Sequence, residues 1–134
     1  MKMKKKIGGL NVVSLFAGIG GFEVAFRKTG AVTNLMCEID PVAKHVLKSR
    51  LPGVQIVGDE RDIDILPVGT DILCAGFPCQ DLSSVGVKVG LSGARSSLVC
   101  EVFRILEKRR CEWVIFENVY AEVKGWRGHS YDSR

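Results

Sequence analysis

With 134 residues, 46% of them hydrophobic and 25% charged, the chain has the composition of one soluble globular domain rather than a low-complexity or fibrous protein. The formal net charge is +4, and Lys2, Lys4, Lys5 and Lys6 contribute four positive charges by themselves, so the rest of the chain balances to zero and the basicity gives no argument for a nucleic-acid partner. No apolar run approaches the roughly 18 to 20 residues that cross a bilayer, and the lysine-rich start is not followed by the apolar stretch of a secretory signal, so a cytoplasmic protein with no membrane partner is expected.

Residues 1–10 read as a basic tail. Asn11-Val12-Val13-Ser14-Leu15-Phe16 reads as a buried strand, followed by a glycine turn and a helix from about Phe22 to Lys28 that Gly30 ends. Val32 to Glu38 gives a second strand. Asp40 as N-cap and Pro41 at the first helical position then open a helix that runs to about Arg50. Val54 to Val57 and Asp71 to Ala75 are the third and fourth strands. The glycine-rich stretch from Gln80 to Gly93 reads as a long loop. A helix over about Ser97 to Lys108 carries an apolar face at Leu98, Val102, Ile105 and Leu106, and Glu112 to Phe116 forms a fifth strand. Such alternation predicts an α/β fold, a doubly wound parallel sheet with helices on both faces. Residues 120–134 carry no helical or strand period and read as a disordered end.

The five cysteines, Cys37, Cys74, Cys79, Cys100 and Cys111, are odd in number and include no CxxC pair, against both a disulfide framework and a zinc site. Four lie in apolar surroundings and read as core thiols. Cys79 differs, because Gly76-Phe77-Pro78-Cys79-Gln80-Asp81-Leu82-Ser83 puts a thiol directly after a proline at the end of an apolar strand. In open parallel sheets, ligands gather beyond the carboxyl ends of the strands. A thiol nucleophile needs an acid or base in the same cleft, and Glu117, at the end of strand five, is the candidate.

Phe16-Ala17-Gly18-Ile19-Gly20-Gly21 follows strand one and opens a helix, so its glycines let a ligand approach backbone N–H donors. The dinucleotide fingerprint GxGxxG would require a third glycine where Glu23 stands, an acid expected to repel a pyrophosphate in the same turn. Glu38, ending strand two, is placed to accept from a ribose diol, and Asp59, after strand three, from an adenine amino group. Either one is equally readable as an ordinary strand-end or capping acid.

Taken in order, these segments resemble the DNA (cytosine-5) methyltransferases over residues 11–119. FAGIGGF (Phe16 to Phe22) looks like the family's first motif, EIDP (Glu38 to Pro41) its second and GD (Gly58-Asp59) its third. GFPCQDLS (Gly76 to Ser83) resembles the nucleophile motif, ARSSL (Ala94 to Leu98) the fifth and ENV (Glu117 to Val119) the sixth. The resemblance implies a Rossmann-like sheet of the S-adenosylmethionine-dependent methyltransferase type, and methyl transfer to carbon 5 of cytosine in double-stranded DNA. It implies a pocket for S-adenosylmethionine lined by Phe16, Gly18, Gly20, Gly21, Glu38, Ile39, Asp59, Pro78 and Leu98. Cys79 would add covalently to carbon 6 of the base, and Glu117 would hold ring nitrogen 3 and the exocyclic amine. Gln80, Ser83, Lys88 and Arg95 fall on the loop that would meet the flipped base and its DNA. The setting it implies is a bacterial cytoplasm, on the nucleoid when bound to DNA, within a restriction or modification system.

Two departures stand out. Glu60 follows Asp59 where the family has an apolar residue packing on adenine, and Asp62-Ile63 offers an alternative register. No later family motif is recognisable after Val119, so the sheet reads as truncated after strand five and nothing reads base edges. A second polypeptide or C-terminal segment carrying target recognition is therefore expected, as is self-association through an exposed sheet edge. An inactive cofactor-binding fragment and an RNA cytosine methyltransferase remain alternative readings.

Overall fold

The structure is a computed structural model and describes residues 9–77 and 98–117. In chain order its elements are β1 (Asn11–Leu15), α1 (Gly21–Arg27), β2 (Val32–Cys37), α2 (Pro41–Arg50), β3 (Gln55–Val57), a single 3₁₀ turn (Glu60–Asp62), β4 (Ile72–Ala75), α3 (Leu98–Lys108) and β5 (Trp113–Phe116). Strand pairing is parallel throughout, in the order β3-β2-β1-β4-β5. The order reverses between β1 and β4, which puts the glycine turn after β1 beside the chain leaving β4, at the position where open α/β sheets bind ligands.

Both faces of the central strands are covered, so they read as continuous apolar runs. Val13, Leu15, Leu35, Cys37, Leu73 and Ala75 face Val102 and Ile105 of α3. On the other face Val12, Ile72 and Cys74 pack under Phe22 and Phe26 of α1, and Met36 under Leu47 and Leu51 of α2. Asp40 caps α2 as its sequence predicts, its side chain accepting from the Ala43 N–H at 2.7 Å with Pro41 following. At the edge, β5 pairs among the described residues with β4 alone, and Trp113 and Phe116 are 60% and 44% exposed, surface a globular protein ordinarily covers.

The differences from the sequence reading are local. Strand two ends at Cys37, because the Glu38 side chain is engaged by turn amides on both sides. The 3₁₀ turn after β3 is unforeseen. Glu23 lies against the glycine turn, its Oε2 3.6 Å from where a Cβ on Gly20 would sit, but it does not line the cavity at the strand ends. It is 1% exposed beneath α1, and neither carboxylate oxygen has a hydrogen-bond partner. Among the described residues no helix is long and apolar enough to cross a membrane. The tail at 1–8, the glycine-rich loop and the segment after Glu117 lie outside the described residues.

Candidate functional site

A cavity of about 290 Å³ opens at the carboxyl ends of the strands, at the lower end of the range for small-molecule clefts. The β1 turn contributes Phe16 and Gly18, the end of β2 contributes Glu38 and Ile39, and the 3₁₀ turn contributes Asp59, Glu60 and Arg61. Gly76, after β4, and Leu98, opening α3, complete it.

The turn after β1 is bent to present this surface. Phe16 has φ 54°, a left-handed conformation that costs a non-glycine residue about 1–2 kcal/mol, and Gly18 follows with φ 58°. The ring of Phe16 meets that of buried Phe77 edge to face at 6.4 Å, and Phe77 meets Phe116 of β5 at 5.8 Å. Glu38 pins the same turn: one carboxylate oxygen accepts from the Gly18 N–H at 2.7 Å and the other from the Asp40 N–H at 2.8 Å. Each oxygen keeps a second lone pair for a ligand hydroxyl.

The far wall is acidic. Asp59 caps the 3₁₀ turn through the Arg61 N–H at 2.9 Å, and the Arg61 guanidinium doubles back on it at 2.9 and 2.5 Å. These hydrogen bonds hold the Asp59 carboxyl at about 2, below the ordinary carboxylate range, so it is a permanent acceptor at neutral pH. Its neighbour Glu60 is 4% exposed, and burial pushes its pKa up, against hydrogen bonding from its own backbone amide, the Cys37 thiol and the Phe16 amide. Cys37 is pushed well up in turn, by burial first and then by Glu60. A thiol so raised is not a nucleophile; nor is Cys74, which burial pushes up to about 12.

Helix α3 fastens this wall. Arg104 donates to the carbonyl oxygens of Glu60 and Ile63, while Lys108 pairs with Asp64 and Arg109 donates to the Leu66 carbonyl. Across the cavity, Glu117 continues β5, its N–H bonded to the Ala75 carbonyl at 3.0 Å. A Cβ added at Gly76 would lie 3.3 Å from Glu117 Oε2, so the carboxylate rests against the backbone that leads into Phe77-Pro78-Cys79.

The structure thus brings Phe16, Gly18, Glu38, Ile39, Asp59 and Leu98 to one cavity and sets Glu117 beside Gly76 in its wall. Gly20 and Gly21 do not line it. Gly20 is the left-handed N-cap of α1, packed near Leu47, and Gly21 begins the helix. Of the two registers, Asp59 lines the cavity and Asp62 does not. Pro78, Cys79, Gln80, Ser83, Lys88 and Arg95 lie outside the described residues. Sequence reasoning gave no role to Arg61 or Gly76 as lining residues, nor to Arg104 behind them. The acid pair Asp59-Glu60 followed directly by the basic Arg61 was the one available signal. Among the described residues no cluster of His, Cys, Asp or Glu has the makings of a metal site.

Fold and cavity define the class first. The fold is that of the S-adenosylmethionine-dependent methyltransferases: a Mesorhizobium loti structure titled as one aligns with a TM-score of 0.51 at 17% identity, covering 78% of this chain and 43% of that one. A mutant of Spodoptera frugiperda DNMT2 aligns with a TM-score of 0.60 at 22% identity, covering 84% of this chain and 36% of the other. Within that class, the C-5 cytosine-specific DNA methylase family matches residues 10–130, and the chain belongs to that family. Type II methyltransferase M2.BsuMI of Bacillus subtilis is 47% identical over 114 residues, 82% of this chain and 29% of the relative. Type II methyltransferase M.HhaI of Haemophilus parahaemolyticus is 35% identical over 116 residues, 86% and 35% respectively. The chain therefore spans about a third of the length of these curated relatives.

Proposed function

We propose that this chain is the cofactor-binding and nucleophile-bearing part of a DNA cytosine-5 methyltransferase. The observation that carries the reading is the convergence of Phe16, Gly18, Glu38 and Asp59 on one cavity whose wall, at Gly76, touches Glu117. The cavity fits S-adenosylmethionine: Glu38 has lone pairs for a ribose diol, Asp59 is an ionised acceptor for an adenine amino group, and Phe16, Ile39 and Leu98 supply apolar contact. When bound, that cofactor supplies an electrophilic methyl group.

The chain's own groups activate the acceptor, since carbon 5 of cytosine is a poor nucleophile. The thiolate of Cys79 adds to carbon 6, and Glu117 holds ring nitrogen 3 and the exocyclic amine as charge develops on the ring. Carbon 5, so made enamine-like, would be nucleophilic enough to accept a methyl group, the sulfonium sulfur of a bound cofactor leaving with the electron pair as the thioether of S-adenosylhomocysteine. Loss of the carbon 5 proton then drives out the thiol and restores the aromatic base. The target base is flipped out of the duplex, at a cost of a few kcal/mol, to reach the site.

Target recognition falls to polypeptide outside this chain, in a C-terminal region or a second subunit. The exposed apolar edge at Trp113 and Phe116 is the surface it would cover, and pairing of two copies there is the alternative occupant. An inactive cofactor-binding fragment is the second reading, favoured by the small share of each relative that the chain spans. Titration with S-adenosylhomocysteine, with Glu38→Ala as control, tests the pocket, and methyl transfer to DNA and to RNA, with and without the C-terminal region of a relative, tests the rest. Methyl transfer by the chain alone would remove the need for a partner; a preference for RNA would move the substrate.

A further inference from the structure

The 3₁₀ turn that carries Asp59, Glu60 and Arg61 is short, with backbone bonds from Asp62 N–H to the Asp59 carbonyl and from Ile63 N–H to the Glu60 carbonyl, each 3.1 Å. What holds it in place comes from α3. Arg104 Nη2 donates to the carbonyls of Glu60 at 3.2 Å and Ile63 at 2.9 Å, and its Nε donates to Glu101 at 2.6 Å, fixing the guanidinium plane. Two ion pairs therefore flank the turn, Asp59 with Arg61 on the cavity side and Glu101 with Arg104 on the helix, and the charge of Glu101 is near enough to act on Arg61. Leu98, the first residue of that helix, lines the same cavity. Arg104 itself does not.

We propose that Arg104 is a positioning residue: by latching the Glu60 and Ile63 carbonyls to α3 it holds Asp59 where it can discriminate a 6-aminopurine from a 6-oxopurine in the cofactor. The inference rests on the cofactor reading above. An ionised Asp59 accepts from an amino group and repels a carbonyl oxygen, but only while the turn is held in register with the rest of the cavity. The latch needs a planar fork with several donors. Glutamine cannot supply it, and lysine supplies a point charge without the second arm.

The test compares the full chain with Arg104→Gln and Arg104→Lys by calorimetric titration with S-adenosylhomocysteine and with its 6-oxo analogue, S-inosylhomocysteine, alongside backbone amide exchange. Arg104→Gln is expected to bind S-adenosylhomocysteine about tenfold more weakly, the loss of one charge-assisted hydrogen bond, and to lose most of the preference over the 6-oxo analogue. Arg104→Lys falls between the two. Exchange at the Asp62 and Ile63 amides rises while amides of β1 and β4 stay protected. Uniform acceleration, or equal weakening for both ligands, would reduce Arg104 to a structural strut and overturn the proposal. Unchanged binding and selectivity would overturn it while leaving the cofactor reading standing. Absence of binding by the unaltered chain removes both.

Discussion

Glu117 and Gly76 meet across the β4–β5 pair: a Cβ on residue 76 would come 3.3 Å from Glu117 Oε2, tighter than a carbon and a carboxylate oxygen ordinarily approach. The pairing of Ala75 with Phe116 and the bond from Glu117 N–H to Ala75 fix this contact. Any larger residue at 76, three residues before Cys79 in sequence, requires the Glu117 carboxylate to give by a few tenths of an ångström.

Gly76→Ala is therefore expected to displace the Glu117 carboxylate and slow methyl transfer without unfolding the chain, and Glu117→Gln to slow it further, by about 10²-fold or more. Steady-state kinetics on the completed enzyme check both. Glu117→Gln retains affinity for S-adenosylhomocysteine, since the change touches neither Glu38 nor Asp59, whereas Gly76→Ala adds a methyl group to the cavity wall and also weakens binding.

Glu38→Ala removes two backbone hydrogen bonds as well as a ligand contact, so it acts on the turn and on binding together. Its expected cost to stability is about 1–3 kcal/mol, read from urea unfolding, with loss of measurable S-adenosylhomocysteine binding. Retained affinity would move the ribose contact elsewhere.

Beneath α1, Glu23 and Ser14 are each 1% exposed, with side-chain oxygens that have no partner. A buried polar group left unpaired costs about 1–3 kcal/mol, so Glu23→Met and Ser14→Ala are expected to stabilise the fold and raise the midpoint of thermal unfolding by a few degrees. Calorimetry checks the sign; a lower midpoint in either would mean that the polar group has a partner.

The two adjacent acids of the 3₁₀ turn act on pH dependence with opposite signs. Asp59 has its pKa lowered to about 2, so its stabilising contribution is present above the usual carboxylate range and is lost as pH falls toward 2. Glu60 has its pKa raised by burial, so the fold binds its proton more tightly than the unfolded chain does, and that contribution is present below 4.5 and is lost as pH rises through the raised value. Glu60→Gln is expected to flatten the loss of stability on the alkaline side and Asp59→Asn the loss on the acid side. Unfolding midpoints across pH measure both.

The sheet was legible because β4, most of β1 and the second half of β2 are buried on both faces and so read as largely apolar runs, and because Asp40-Pro41 is a local capping signal that needs no tertiary context. The cavity was legible at the ends of those strands, in Phe16, Gly18, Glu38 and Asp59. Its acidic wall was not. The bond from Arg61 to Asp59 exists only once the 3₁₀ turn has formed, and Arg104 reaches carbonyls 41 and 44 residues away while occupying a helix position that reads as solvated. The burial of Glu23 was not legible either: it stands against the glycine turn, and its 1% exposure exists only once α1 has packed on the sheet.

The most direct measurement is covalent trapping. The chain, joined to the C-terminal region of a longer relative, is incubated with S-adenosylmethionine and a duplex in which 5-fluorocytosine replaces the target base. The fluorine cannot leave as the proton does, so the thiol stays attached. The expected result is a DNA-linked peptide containing Cys79 that disappears in Cys79→Ser and forms slowly in Glu117→Gln. Methylated DNA without such an adduct, or linkage through any of the other four cysteines, would contradict the account.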